Sequence, residues 1–186
     1  MTNILLHACC APCALYCVNR LRDEGFDVGT FWYNPNIHPF VEHRLRLQSM
    51  QTLSQKMAFP LTVADGYDMI DYFRGVVGNE GARCGHCFRM RMEKTAQVAK
   101  ENGFDAFTTT LFISPYQKHD LLRDICEAIS REYKVDFHYE DFRPGFREGH
   151  KLSREMELYH QKYCGCVYSE WERFGKVDIE KMMGGG

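Results

Sequence analysis

Apolar residues in this chain fall into short continuous runs, separated by longer stretches with helical spacing. Ile4-Leu5-Leu6-His7-Ala8 is the first run and predicts a buried strand. Pro12 suits the first turn of a helix that ends near Gly25. Asp27 to Tyr33 predicts a second strand, stopped by Asn34-Pro35-Asn36, and Pro39 to Met57 reads as a second helix. Pro60 introduces a short strand over Leu61 to Ala64. Asp65-Gly66 and Gly78-Asn79-Glu80-Gly81 then bracket a short helical piece. A longer helix begins near Cys84, turns a stripe of Phe88, Met92, Ala96 and Ala99 toward a core, and stops at Asn102-Gly103. Ala106 to Leu111 is β-rich and leads through Ser114-Pro115 to a helix ending near Arg131. Val135 to Tyr139 predicts a fifth strand, and a last helical region follows Pro144-Gly145.

This alternation predicts an α/β fold with about five mostly parallel strands flanked by helices and joined by right-handed crossovers. The architecture expected is Rossmann-like, of the nucleotide-alpha-hydrolase-like kind. No linker, repeat or low-complexity stretch divides residues 1–186, so one domain is expected, with 183–186 as a frayed tail. In such sheets chemistry gathers at the carboxyl ends of the strands, near the point where strand order reverses. Three segments are predicted to converge there: Cys9-Cys10, Asn34 to His38, and Thr108-Thr109-Thr110 to Pro115.

Composition narrows the setting. The 186 residues are 45% hydrophobic and 13% aromatic, enough to bury a core without disulfide staples. No apolar run approaches the roughly 20 residues needed to span a bilayer. No basic region precedes the short N-terminal apolar stretch, so neither a signal peptide nor a membrane partner is expected. That favours the cytoplasm, where clustered cysteines more often hold metal or do chemistry than form structural disulfides. The formal charge of −2 argues against a broadly basic nucleic-acid binder. Two local stretches are basic, Arg83 to Lys94 and Arg143 to Arg154; each fits either a phosphate-facing patch or a solvated helix face. Neither common form of glycine-rich phosphate loop occurs, so nucleotide binding is not supported.

Nine cysteines then change the picture. Cys9 and Cys10 close the first apolar run, Cys84 and Cys87 open the mid-chain helix, and Cys164 and Cys166 flank Gly165. Thiolates gathered at element ends, within reach of backbone amides and solvent, are what a metal cluster or redox centre requires. Cys84 and Cys87 are one helical turn apart, near the positive end of the helix dipole. Neighbouring residues on a regular strand face opposite ways, so Cys9 and Cys10 can act together only where the strand breaks. Ala11-Pro12 makes that break. Cys9, Cys10, Cys84 and Cys87 supply four thiolates, the complement of a [4Fe–4S] cluster and equally of a structural zinc site. Cys13 lies one turn after Cys10 and can face the same centre as ligand to a second metal. Cys10-Ala11-Pro12-Cys13 also has the form of a thioredoxin-type redox motif, which would make the chain a thiol–disulfide oxidoreductase. Across one intervening residue, Cys164 and Cys166 would close only a strained, readily reduced ring, which fits a reversible redox pair or additional metal ligands. Cys17, Cys126 and His7 read as core.

Five segments together resemble the epoxyqueuosine reductase family QueH: His7 to Cys13, Tyr33 to His38, Arg83 to Arg91, Phe107 to Leu111 with Ser114-Pro115, and Tyr163 to Cys166. The resemblance spans nearly the whole chain. It implies reduction of epoxyqueuosine in tRNA to queuosine, without cobalamin, by an iron–sulfur enzyme with a neighbouring mononuclear iron and an unidentified electron donor. It assigns Cys9, Cys10, Cys84 and Cys87 to the [4Fe–4S] cluster. Cys13 falls where some members carry an aspartate that holds the extra iron. The substrate base would lie at the wobble position of an anticodon loop, where unstacked bases can be splayed out onto aromatics. Tyr33, Phe40, Phe112 and Tyr116 are the candidates for that stacking. A zinc-stabilised RNA-binding module is the remaining reading.

Overall fold

The computed structural model describes residues 2–176, so the 183–186 tail lies outside the described residues. Five strands form one sheet in the order β3-β2-β1-β4-β5, and every pairing is parallel. They are β1 (Asn3–His7), β2 (Asp27–Trp32), β3 (Leu61–Val63), β4 (Ala106–Thr109) and β5 (Asp136–Phe137). β1 is central, its Leu5 in register with Gly29 on one side and Phe107 on the other. Ile4, Leu5 and Leu6 are wholly buried, which explains the absence of polar alternation: helices cover both faces.

Those helices are α1 (Ala11–Asp23), α2 (Phe40–Met57), α3 (Met69–Val76), α4 (Arg83–Glu101), α5 (His119–Tyr133), α6 (Phe146–Glu155) and α7 (Val167–Phe174). α1 packs with α2 and α6, whereas α4 packs with α3 and α5. The chain winds outward from β1 through α1 to β2 and through α2 to β3. It then returns through α3 and α4 to β4 on the other side of β1. Strand order therefore reverses between β1 and β4, and the loops leaving their carboxyl ends are parted into a crevice.

Local bounds differ from the sequence reading where side chains capture backbone groups. The β-rich segment Ala106 to Leu111 splits into β4 and a 3₁₀ turn, Thr110–Ile113, because Thr109 Oγ1 accepts the Leu111 N–H and turns the chain. The fifth strand shrinks from Val135–Tyr139 to Asp136–Phe137 at the sheet edge, where only β4 is available to pair. The single last helical region becomes α6 and α7, separated by the segment that carries Cys164. No helix among the described residues is long and apolar enough to cross a membrane.

Candidate metal centre

β1 ends at His7, and the chain leaves the sheet over Ala8-Cys9. Cys10 caps α1 in an extended conformation, φ −169° and ψ 159°, with Pro12 in the first turn. This corner undoes strand alternation and brings the Cys9 and Cys10 sulfurs to 3.7 Å. Cys13, one turn on, joins them, and the three sulfurs all lie within 4.8 Å of one another. Hydrogen bonds shared with Cys10 and Cys13 hold the Cys9 thiol well below its ordinary value, helped by the Arg91 charge and the Thr110 hydroxyl, 3.2 Å away. Burial pushes the Cys10 thiol up, and the shared hydrogen bonds with Cys10 and Cys9 push Cys13 up. Folding thus sets three soft sulfur donors side by side, an arrangement that could hold a metal.

α4 leads into the amino end of β4 and so runs back against the strands, which puts its N-terminus, with Cys84 and Cys87, at the same carboxyl edge. Both lie outside the 4.8 Å group. Sulfurs sharing a single ion sit up to about 4.6 Å apart, twice a metal–sulfur bond. The donor set, soft thiols collected at one edge, fits a thiophilic metal group. Arg91 connects α4 to the strand ends: its guanidinium donates to Asn34 Oδ1 at 2.7 Å, approaches His7 Nε2 at 3.3 Å and reaches Cys87 Sγ at 3.7 Å. Its charge acts on both Cys9 and Cys87. Burial nevertheless pushes the Cys87 thiol up to about 12.

The C-terminal cysteines are strapped to the same edge by α2. Arg46, 1% exposed, pairs with Glu42 at 2.7 Å and donates to the carbonyls of Cys164 and Tyr163 at 2.8 and 3.0 Å. Tyr159 donates to the other Glu42 oxygen at 2.5 Å. The His38 N–H binds the Gly165 carbonyl at 2.8 Å, and Gly165 takes φ +154°, a region side chains disfavour. Cys166 is buried and caps α7, accepting the Ser169 N–H at 3.4 Å, whereas Cys164 is exposed and accepts from Gln117 Nε2 at 3.4 Å. All nine cysteines are free thiols, Cys164 and Cys166 included.

Other expectations sort differently. Cys17 and Cys126 are fully buried core residues. His7 is buried too, its Nδ1 sharing a hydrogen bond with Thr109 Oγ1 at 2.9 Å; its pKa falls to about 3, chiefly through burial. Phe112 is unavailable for stacking, because it fills the core against His119 and Phe137. Tyr116 and Phe40 are exposed. The first basic stretch is largely consumed within the fold: Arg91 is interior, Arg83 pairs with Glu172, and Arg89 pairs with Glu93 and Glu132. Asn34 stands at this edge as its segment was expected to, whereas sequence reasoning missed Arg46 and Gln161, whose Nε2 lies 3.1 Å from Cys10 Sγ. Only Glu42–Arg46 left a signal, its i,i+4 spacing.

Comparison with known proteins agrees with this geometry. A family model described as Epoxyqueuosine reductase QueH matches residues 4–172. A curated protein of that name from Dehalococcoides mccartyi is 46% identical over 94% of this chain and 96% of its own length. Another from Thermotoga maritima is 35% identical over 99% of both. A crystal structure described as a "predicted subunit of tRNA methyltransferase" from Methanocaldococcus jannaschii shares the fold. Its TM-score is 0.57 and its identity 11%, over 83% of this chain and 75% of the other. Matched along nearly its whole length, with its cysteines at the switch-point edge, the chain belongs to the epoxyqueuosine reductase family QueH, a family of oxidoreductases.

Proposed function

We propose that this chain reduces epoxyqueuosine to queuosine at the wobble position of tRNA, in the cytoplasm. The observation that carries the reading is the Cys9–Cys10–Cys13 thiol group at the strand-order reversal of a member of this family. Cys9, Cys10, Cys84 and Cys87 would hold a [4Fe–4S] cluster, and Cys13 an adjacent iron. When bound, these groups supply single electrons and a Lewis acid for the epoxide oxygen.

The chain's own groups set up that chemistry. Thr110 Oγ1, Gln161 Nε2 and Arg91 each donate toward a different sulfur, of Cys9, Cys10 and Cys87, fixing its orientation and favouring its anionic form. Removing the epoxide oxygen consumes two electrons and two protons and releases water. Oxidation of the Cys164 and Cys166 thiols to a disulfide yields that same count, and an external donor must then reduce the bridge. The exposed Cys164 is the sulfur such a donor reaches.

The test is anaerobic purification with absorbance, iron and sulfide analysis, followed by nucleoside mass spectrometry of epoxyqueuosine-bearing tRNA after incubation with reductant. A brown protein that forms queuosine is expected. Cys13→Ala should keep most of the cluster and lose turnover. A colourless zinc protein that binds tRNA without turnover would overturn the reading.

A further inference from the structure

One surface beside the thiol group is left without a role by the chemistry above. Four rings run along the rim of the site. Tyr116 meets Phe146 at 6.1 Å between centroids, Phe146 meets His150 at 4.4 Å, and His150 meets His160 at 5.3 Å. Both ends of the row are tied to cysteine sulfurs by the next residue in sequence: Gln117 to Cys164, and Gln161 to Cys10. The middle is fixed by α6, which packs so closely that a Cβ at Gly149 would stand only 3.2 Å from the Pro12 carbonyl, in the turn that carries Cys13. Ser153 Oγ holds His160 Nε2 at 2.9 Å.

The row is accessible. Tyr116 is 85% exposed with no packing need that accounts for it, and the other three rings are partly exposed. Arg147, Lys151 and Arg154 follow one another at i, i+4 and i+7 on α6 and are all exposed, forming a cationic stripe beside the rings. Lys151 has Glu155 3.9 Å away, an exposed pair that binds it weakly. Burial, with the Arg154 charge acting on both, lowers His150 and His160 below the ordinary imidazole value. They therefore present neutral rings at neutral pH. Aromatic faces alongside cations on a rim, in a protein of net charge −2, complement an occupant with flat bases and a phosphate backbone.

We propose that the ring row from Tyr116 to His160, with the cationic stripe of α6, is the platform on which unpaired bases flanking the reacting nucleotide of an RNA loop stack. This rests on the tRNA reading above and assigns the partner's binding surface. The bases stack on the rings, the stripe meets the phosphates, and the reacting nucleotide is free to turn toward Cys10 and Cys13.

The test is binding of an unmodified anticodon stem-loop RNA to the full, metal-loaded protein, by fluorescence anisotropy over a series of salt concentrations. Tyr116→Ala, at an exposed position that folding does not need, should weaken binding about tenfold, the loss of one base–aromatic stack, and leave the salt slope unchanged. Tyr116→Trp should restore it. Arg147→Ala with Lys151→Ala should weaken binding and flatten the salt slope by about 0.7 for each phosphate no longer neutralised. If the wild-type protein binds the stem-loop and these variants bind it equally well, the platform is wrong while the tRNA reading survives. A wild-type protein that binds no stem-loop sinks both. Sedimentation as a dimer that Tyr116→Ala dissociates, with RNA binding untouched, would give the face to a second copy instead.

Discussion

Arg91 is the side chain on which the candidate site is hung. Its three guanidinium nitrogens reach three partners, on β1, on the loop after β2 and one turn back on α4. A lysine there would keep the charge but cannot serve divergent acceptors from one point. Arg91→Lys should therefore cost about 1–3 kcal/mol, the price of leaving the buried Asn34 Oδ1 unmet, read as a lower urea midpoint with unchanged slope. Equal midpoints would show that the partners are satisfied without it. From sequence alone Arg91 looked like part of a basic patch, since charge pattern records the helix face and not what the helix is pressed against. The cysteines were legible because their chemistry restricts their use. Gln161 was not, because amides occur on any surface and acquire a role only from the sulfur that folding puts beside them.

Elements meet through small junctions that can be tested singly. Gly145, just before α6, has the Tyr16 ring of α1 about 2.1 Å from where a Cβ would stand. Its φ of −85° suits any residue, so the constraint is space alone. Gly145→Ala should destabilise by about 1–3 kcal/mol through overpacking, and Tyr16→Leu in the same chain should recover part of that. A double-mutant cycle showing simple additivity would disprove the clash. The strap from α2 depends on a neutral His38: its Nε2–H donates to the Pro35 carbonyl at 3.0 Å, and its Nδ1 accepts the Val167 N–H at 3.4 Å. Burial lowers its pKa from 6.5 to about 4. Because the folded value is depressed, this contribution is complete above the unfolded value and is lost as pH falls from about 6.5 toward 4. Between about pH 7.5 and 5 it should fall by about 2 kcal/mol, and His38→Gln should remove that part of the pH dependence. Parallel urea titrations of both proteins check it. The helices and four strands were readable because their apolar periods are long or continuous. The β5 bounds and the break between α6 and α7 were not, since edge pairing and side-chain capture of backbone groups leave no periodic trace.

At the scale of the whole molecule, the thiol site draws on residues 9–13, 84–91 and 161–166, with Thr110 and Gln117 between, so no stretch of chain contains it. The sheet that gathers them is built from unequal loops. β1 finds β2 nearby, Asn3 opposite Asp27, whereas the hydrogen bond from His7 to Thr109 spans 102 residues. Closing the longer loop costs about 1.3 kcal/mol more in chain entropy, and non-local pairing slows folding. β1 and β2 should therefore be docked in the folding transition state before β4 arrives. Val28→Ala in β2 should chiefly slow folding, and Phe107→Leu in β4 should chiefly speed unfolding; the reverse pattern in stopped-flow chevrons would invert the order. Cys9 sits on one side of that final closure and Thr110 on the other. The strand-order reversal is thus also a clock: the Cys9–Cys10–Cys13 corner can form early, but Thr110 and the α4 cysteines reach it only when β4 docks, so the site is completed late in folding.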